Sequence, residues 1–136
     1  MKTLIVLVGL PRSGKSTWAK QQRLPIVSKD AIRLALHGKP YIESSEPMIH
    51  CMAMYMVASL FNAGHEKVIL DETNVTQEKR NQWISNEWDC KYVIFHTSWE
   101  VCTLRAINNG QPYLASVIAD MYDKSDFWNM DTTYLE

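Results

Sequence analysis

The feature that most constrains this chain is Gly9-x-x-x-x-Gly14-Lys15-Ser16, set directly behind the strand-like run Thr3–Val8 and directly ahead of a helical pattern. The two glycines let the backbone close into a nest of N–H donors, and the positive end of the following helix adds its dipole to the same anion site. In that setting Lys15 reaches β- and γ-phosphates as a point charge, and the Ser16 hydroxyl is placed to ligate Mg²⁺. Arg12, Ser13 and Thr17 complete the segment Gly9–Thr17, expected to grip the phosphates of ATP, with GTP as the alternative. A random chain of this length carries such a string roughly once in a few hundred cases. The strand before it and the helix after it lower that rate further.

The rest of the pattern agrees with this placement. Short β-rich runs at Thr3–Val8, Pro25–Ser28, Lys67–Asp71 and Cys90–His96 are apolar, as parallel strands covered on both faces should be. Helical periodicity lies between them, near Gly14–Arg23, Asp30–Leu36, Glu46–Ala63, Gln77–Trp88, Trp99–Asn108 and Tyr113–Lys124, with Gly38, Gly64 and Gly110 as stops. The expected fold class is α/β, a P-loop NTPase-type three-layer α/β/α arrangement with a mainly parallel sheet of about four strands. At 136 residues without repeat or linker, 1–136 reads as a single domain. The apolar start passes into Pro11-Arg12-Ser13-Gly14-Lys15 without a cleavage site, so it reads as a buried strand rather than a signal peptide. No stretch approaches the roughly 20 apolar residues of a membrane span. Cys51, Cys90 and Cys102 lack metal-ligand spacing and cannot all pair, which points to reduced thiols and a cytoplasmic location. A net charge of -1 from mixed acids and bases excludes a broad field for long nucleic acid or an anionic membrane.

Two carboxylates stand at strand ends, where α/β sheets bind ligands. Asp30 and Arg33 lie one turn apart at a helix start. Asp30 is placed to accept a proton from an attacking hydroxyl and Arg33 to hold an anionic group. The same spacing equally suits a helix cap and its surface mate. Asp71 ends Val68-Ile69-Leu70 as an acid should if it helps hold Mg²⁺ beside the phosphates.

Gly14-Lys15-Ser16-Thr17-Trp18-Ala19, Asp30-x-x-Arg33, Asp71-x-Thr73-Asn74 with Arg80, and finally Trp99 with Arg105 occur in that order, and together they resemble the P-loop kinases related to phage polynucleotide kinase over nearly the whole chain. The resemblance implies ATP-dependent phosphorylation of a 5′-hydroxyl on a DNA or RNA end. It implies Asp30 as general base, Arg33 as acceptor-phosphate arginine, and a helical lid over about 99–115 carrying Arg105. The chain departs from that family in three ways. Arg12 stands where a small residue is usual. Asn108-Asn109-Gly110 stands where the lid usually offers another arginine, leaving Arg105 or Arg12 to compensate. There is no Asp-x-Asp-x-Thr phosphatase motif.

Met48, Met52 and Met56, with Val57, Leu60 and Phe61, read as a core stripe, and Trp83, Trp88 and Trp128 as packing residues, with stacking on a nucleobase as the alternative for an aromatic in the acceptor cleft. His37 and His50 have no partners at zinc spacing. Catalysis is therefore expected from Lys15, Asp30, Arg33 and Arg105, and metal binding from Ser16 and Asp71. The rival expectations are a small-molecule kinase, acting on a nucleoside, sugar or antibiotic hydroxyl, and a nucleotide-dependent binding module.

Overall fold

Alternation along the first strand separates two apolar clusters. Leu4, Val6 and Val8 point into one and Ile5 and Leu7 into the other, all fully buried. This is the pattern of a sheet covered on both sides. The computed structural model describes residues 1–38 and 41–134. Positions 39–40 and 135–136, which the single-domain expectation and the tail 127–136 include, lie outside the described residues.

The elements run β1 (Thr3–Val8), α1 (Lys15–Gln21), β2 (Ile26–Ser28), α2 (Lys29–His37), a 3₁₀ turn (Glu43–Ser45), α3 (Glu46–Asn62), β3 (Lys67–Asp71), α4 (Gln77–Asn81), β4 (Asp89–Ile94), α5 (Trp99–Asn108) and α6 (Leu114–Lys124). The four strands are parallel in the order β2-β3-β1-β4, giving the three-layer α/β/α fold. From β1 the chain goes out to β2, returns to β3 between the two, and then crosses past β1 to build β4 on its other side, so the crevice opens at the carboxyl ends of β1 and β3. There Gly9 N–H donates to the Thr73 carbonyl at 2.9 Å.

One face of the sheet is covered by α1 and Tyr134. The other carries Ile32 of α2, Ile49, Ala53, Val57 and Phe61 of α3, Cys102 and Ala106 of α5, and Ile118 of α6. The tail runs along the outer edge of β4, where the Thr133 and Thr132 hydroxyls accept from Tyr92 N (2.7 Å) and Ile94 N (3.1 Å). Those edge N–H groups are thereby closed to another strand.

Several boundaries differ from the periodic reading. Pro25 offers its carbonyl to Ile69 N (2.9 Å) but has no N–H, so β2 starts at Ile26. Phe95 still bonds to Val8 O, after which the chain turns away to bring Thr97 to the glycine-rich loop. The helix expected over Gln77–Trp88 ends at Asn81. Trp83 drops fully into the core, and its carbonyl accepts from Trp88 Nε1 (2.9 Å) and Cys90 Sγ (3.2 Å) rather than from a helical N–H. The buried stripe of α3 is Ile49-Ala53-Val57-Phe61, one residue round from the methionines. Met48 is 47 % and Met56 38 % exposed, and Met52 only flanks the core. A rotation of about 100° per residue makes that shift decisive. Trp83 and Trp88 are packing residues as expected, and Trp128 stacks on Phe127 at 4.4 Å.

Candidate active site

The loop after β1 is shaped by steric need. A Cβ on Gly9 would sit 2.7 Å from Ser13 Oγ and 2.9 Å from Phe95 Cβ, so only glycine lets the chain pass. Gly14 turns into α1 with φ 105°. Arg12 adopts φ 68°, a left-handed conformation in which a side chain is strained, and it is exposed at the surface of the loop. Two contacts from α5 and its approach staple the loop. Thr97 Oγ1 donates to Ser13 O (2.9 Å), and Arg105 Nη1 donates to Arg12 O (3.1 Å).

Lys15 is buried, its Nζ donating to Gly9 O (3.0 Å), Leu10 O (2.7 Å) and Ser13 Oγ (3.3 Å). Burial pushes its ammonium down to about 8, only partly offset by the charge of Asp71. Ser16 Oγ donates to Asp71 Oδ2 at 2.8 Å. The two groups expected to hold Mg²⁺ thus converge although 55 residues separate them. A hydroxyl and one carboxylate fit that ion, which keeps several waters and takes its remaining oxygens from substrate phosphates.

On the other wall, Ser28 caps α2, its side chain accepting from Ala31 N (3.2 Å). Asp30 is therefore not the cap. Its side chain is 82 % exposed and receives a hydrogen bond from Arg33 Nη1 at 2.7 Å. Arg33 is also held in a two-pronged pair by Glu46, with Nε to Oε2 at 2.8 Å and Nη2 to Oε1 at 2.6 Å, and its guanidinium lies 5.9 Å from the Tyr41 ring centre. The Arg33 hydrogen bonds hold the Glu46 carboxyl below the usual range against the opposing effect of burial.

A cleft of about 1270 Å³ joins both walls. It is lined by Arg12, Ser13, Gly14, Lys15, Ser16, Thr17, Asp30, Arg33, Asp71 and Arg105, and among the expected site residues only Gly9 lies behind it. Basic residues Arg12, Lys15, Lys29, Arg33, Lys79, Arg105 and Lys124 outnumber Asp30, Glu46, Asp71, Glu72 and Asp120 along it, although the chain as a whole is slightly acidic. Asn109, where the resemblance would put an arginine, donates to Arg105 O (2.7 Å) and finishes α5, with Gly110 following at φ 73°. Trp99 packs on Tyr122 of α6, ring centres 6.2 Å apart.

Arg80 is a strut. It is buried, donating to Asn74 O (3.0 Å) and to Asp126 Oδ1 (2.6 Å), while buried Asn74, at φ 47°, donates to Leu7 O (2.9 Å). Sequence reasoning missed Glu46, Lys29, Glu72 and His50. Glu46 gave no local signal. Lys29 and Glu72 flank Asp30 and Asp71, and pairing Ser28 with Asp71 across β2 and β3 would have placed them side by side. Among the described residues no cluster of metal-binding side chains and no helix long and apolar enough to cross a membrane occurs.

Comparison with known proteins agrees with the fold. A family model described as an AAA domain matches residues 4–113. The chain is similar to the L-seryl-tRNA(Sec) kinase of Methanococcus maripaludis, 32 % identical over 135 residues, covering 90 % of this chain and 52 % of the relative. It thus spans about half that relative's length. Among solved structures it is similar to a chain of the Pnkp1/Rnl/Hen1 complex (TM-score 0.70, 26 % identity, 76 % of this chain and 38 % of that one). A gluconokinase from Sinorhizobium meliloti 1021 shares the fold (TM-score 0.66, 18 % identity, 96 % and 79 %).

Proposed function

The chain belongs to the AAA domain family, and from that premise we propose that it is an ATP-dependent kinase moving the γ-phosphate to a hydroxyl, with the 5′-hydroxyl of a DNA or RNA end as acceptor. The observation that carries this reading is one cleft with two chemically different walls. Lys15, Ser16 and Asp71 line it together with Asp30 and Arg33.

In this mechanism the loop Gly9–Thr17 orients the triphosphate through its N–H groups, with Lys15 on the β- and γ-oxygens. Ser16 would hold Mg²⁺, with Asp71 supporting it directly or through water, and the ion would supply neutralisation of the phosphate charge. Asp30, exposed and held by one Arg33 hydrogen bond, takes the proton from the acceptor hydroxyl. Lys15, Arg33 and Arg105 spread the negative charge of a loose transition state. The segment 99–115 acts as a lid through the Arg105 contact to the loop, and the protein is read as one domain over 1–136. Resemblance to phage-type polynucleotide kinases supports the 5′-end acceptor, as does likeness to a protein of the Pnkp1/Rnl/Hen1 RNA repair complex. The free thiols Cys51, Cys90 and Cys102 suit a reducing cytoplasm.

A second reading has its own support. Arg33 is already neutralised by Glu46 and Asp30, which weakens its hold on an acceptor phosphate and suits an uncharged small alcohol. The deciding experiment is transfer of labelled γ-phosphate from ATP·Mg²⁺ to 5′-hydroxyl DNA and RNA oligonucleotides, beside nucleosides, sugars and seryl-tRNA, with Lys15→Ala as control. Label on oligonucleotides is expected. Label on small alcohols or seryl-tRNA alone would replace the acceptor, and ATP binding without transfer to any acceptor would favour a binding module.

A further inference from the structure

The catalytic reading leaves one buried charge unexplained. Lys29 opens α2 between the capping Ser28 and the exposed Asp30, yet its own side chain turns inward and is 5 % exposed. Its ammonium lies 3.0 Å from Glu72 Oε1 and 3.1 Å from His50 Nδ1, and 5.9 Å from the centre of the Trp83 ring. An ammonium can only donate, so His50 accepts at Nδ1 and carries its proton on Nε2. The carboxylate, the imidazole and the indole face occupy the lysine's surroundings, so Lys29 is built to hold protein groups rather than to reach for a ligand.

The placement of this pair is what gives it meaning. Ser28 and Asp71 form the last backbone rung between β2 and β3. One residue further on the backbones part, α2 beginning on one side and a turn on the other, and Lys29 with Glu72 bridge the gap by side chains. Asp30 follows Lys29, and Asp71 precedes Glu72. His50 brings in α3 and Trp83 the segment after α4, so four parts of the chain meet at one ammonium. Buried ion pairs contribute little net stability compared with well-packed apolar residues, and their best-attested use is to fix register.

Resting on the reading of Asp30 as base and Asp71 as metal carboxylate, we infer that Lys29 is a positioning residue: paired with Glu72 and braced by His50, it fixes the separation of the acceptor-side carboxylate from the metal-side carboxylate. Phosphoryl transfer depends on such placement, because displacement of a catalytic group by about 1 Å can cost on the order of a hundredfold in rate.

The test uses Lys29→Met, Glu72→Met and the double variant, compared with the wild type by amide hydrogen exchange of residues 28–31 and 71–74, calorimetric affinity for ATP·Mg²⁺, and kcat toward a 5′-hydroxyl oligonucleotide. Each single variant is expected to speed exchange in both segments together and to lower kcat by roughly tenfold or more, with ATP affinity within about threefold. The double variant should regain thermal stability without regaining kcat. Faster exchange confined to the substituted segment would overturn the inference, as would a kcat that follows only the folded fraction or returns in the double variant. If Lys29→Met does not fold, Glu72→Gln, which keeps shape and a weaker hydrogen bond, carries the same comparison. A wild type that transfers phosphate to no hydroxyl overturns the kinase reading instead, and the paired exchange then decides whether Lys29 couples the two segments.

Discussion

At the scale of single residues, the most informative side chains are those whose environment departs from their ordinary chemistry. Lys15 is an ammonium held largely by neutral carbonyls and lowered to about 8 by burial. Its folded-state value lies below the ordinary 10.5, so it loses its proton as pH rises through about 8, whereas phosphate oxygens favour the charged form. ATP binding should therefore take up close to half a proton near pH 8 and almost none near pH 6.5, and affinity should weaken above about 8. Calorimetry in buffers of different ionisation enthalpy measures that uptake, and a buffer-independent heat at pH 8 would contradict it. Arg12 offers an independent check. Its φ of 68° costs about 1 kcal/mol or more in a non-glycine residue, so Arg12→Gly should raise stability by roughly 1 kcal/mol in denaturant titrations, and a loss would mean the side chain makes a stabilising contact. Asp30→Asn, in turn, should cut turnover by on the order of a hundredfold while leaving ATP affinity nearly intact. Unchanged turnover would remove the base from the mechanism. Lys15, Ser16 and Asp71 were legible because a motif fixes them or a strand ends on them. Glu46 was not, because only the packing of α3 against α2 brings it to Arg33.

At the scale of elements, strands were read more faithfully than helices. A strand buried on both faces is a run of apolar residues and announces itself. A helix is inferred from period, and period fails where burying a side chain needs a different backbone. That is why Gln77–Trp88 reads as one helix although Trp83 and Trp88 both leave it, and why the stripe of α3 reads as the methionines with Val57, Leu60 and Phe61 and misses Ile49 and Ala53. The short α4 is held from outside. Asp126 accepts from Gln77 N (2.9 Å) and from Arg80 Nη2 (2.6 Å), and Arg80 in turn supports the Asn74 carbonyl behind the crevice. Asp126→Ala would leave the buried guanidinium without its carboxylate. Because Asp126 is half exposed and solvent screens part of the pair, the expected loss is about 1–2 kcal/mol rather than the larger cost of a fully buried pair. Urea unfolding measures it, and an unchanged midpoint would mean that Arg80 finds another acceptor.

At the scale of the molecule, charge limits what the acceptor can be. The chain carries a net charge of -1, yet the basic residues outnumber the acidic ones along the cleft. Several of those bases are already engaged: Arg33 with Asp30 and Glu46, Lys29 with Glu72. A long single strand would need a track of free cations, each phosphate neutralised steepening the salt dependence of binding by about 0.7 in log–log slope. With charge concentrated at one mouth, only the terminal nucleotides should be held. Oligonucleotide affinity should accordingly have a shallow slope of roughly −1 to −2 and stop improving beyond about three nucleotides. Fluorescence anisotropy across a salt series and a length series measures both quantities. A slope steeper than about −4, with affinity still growing with length, would place a nucleic-acid track outside the cleft. A flat response to both would return the acceptor to a small alcohol, in keeping with the neutralised Arg33.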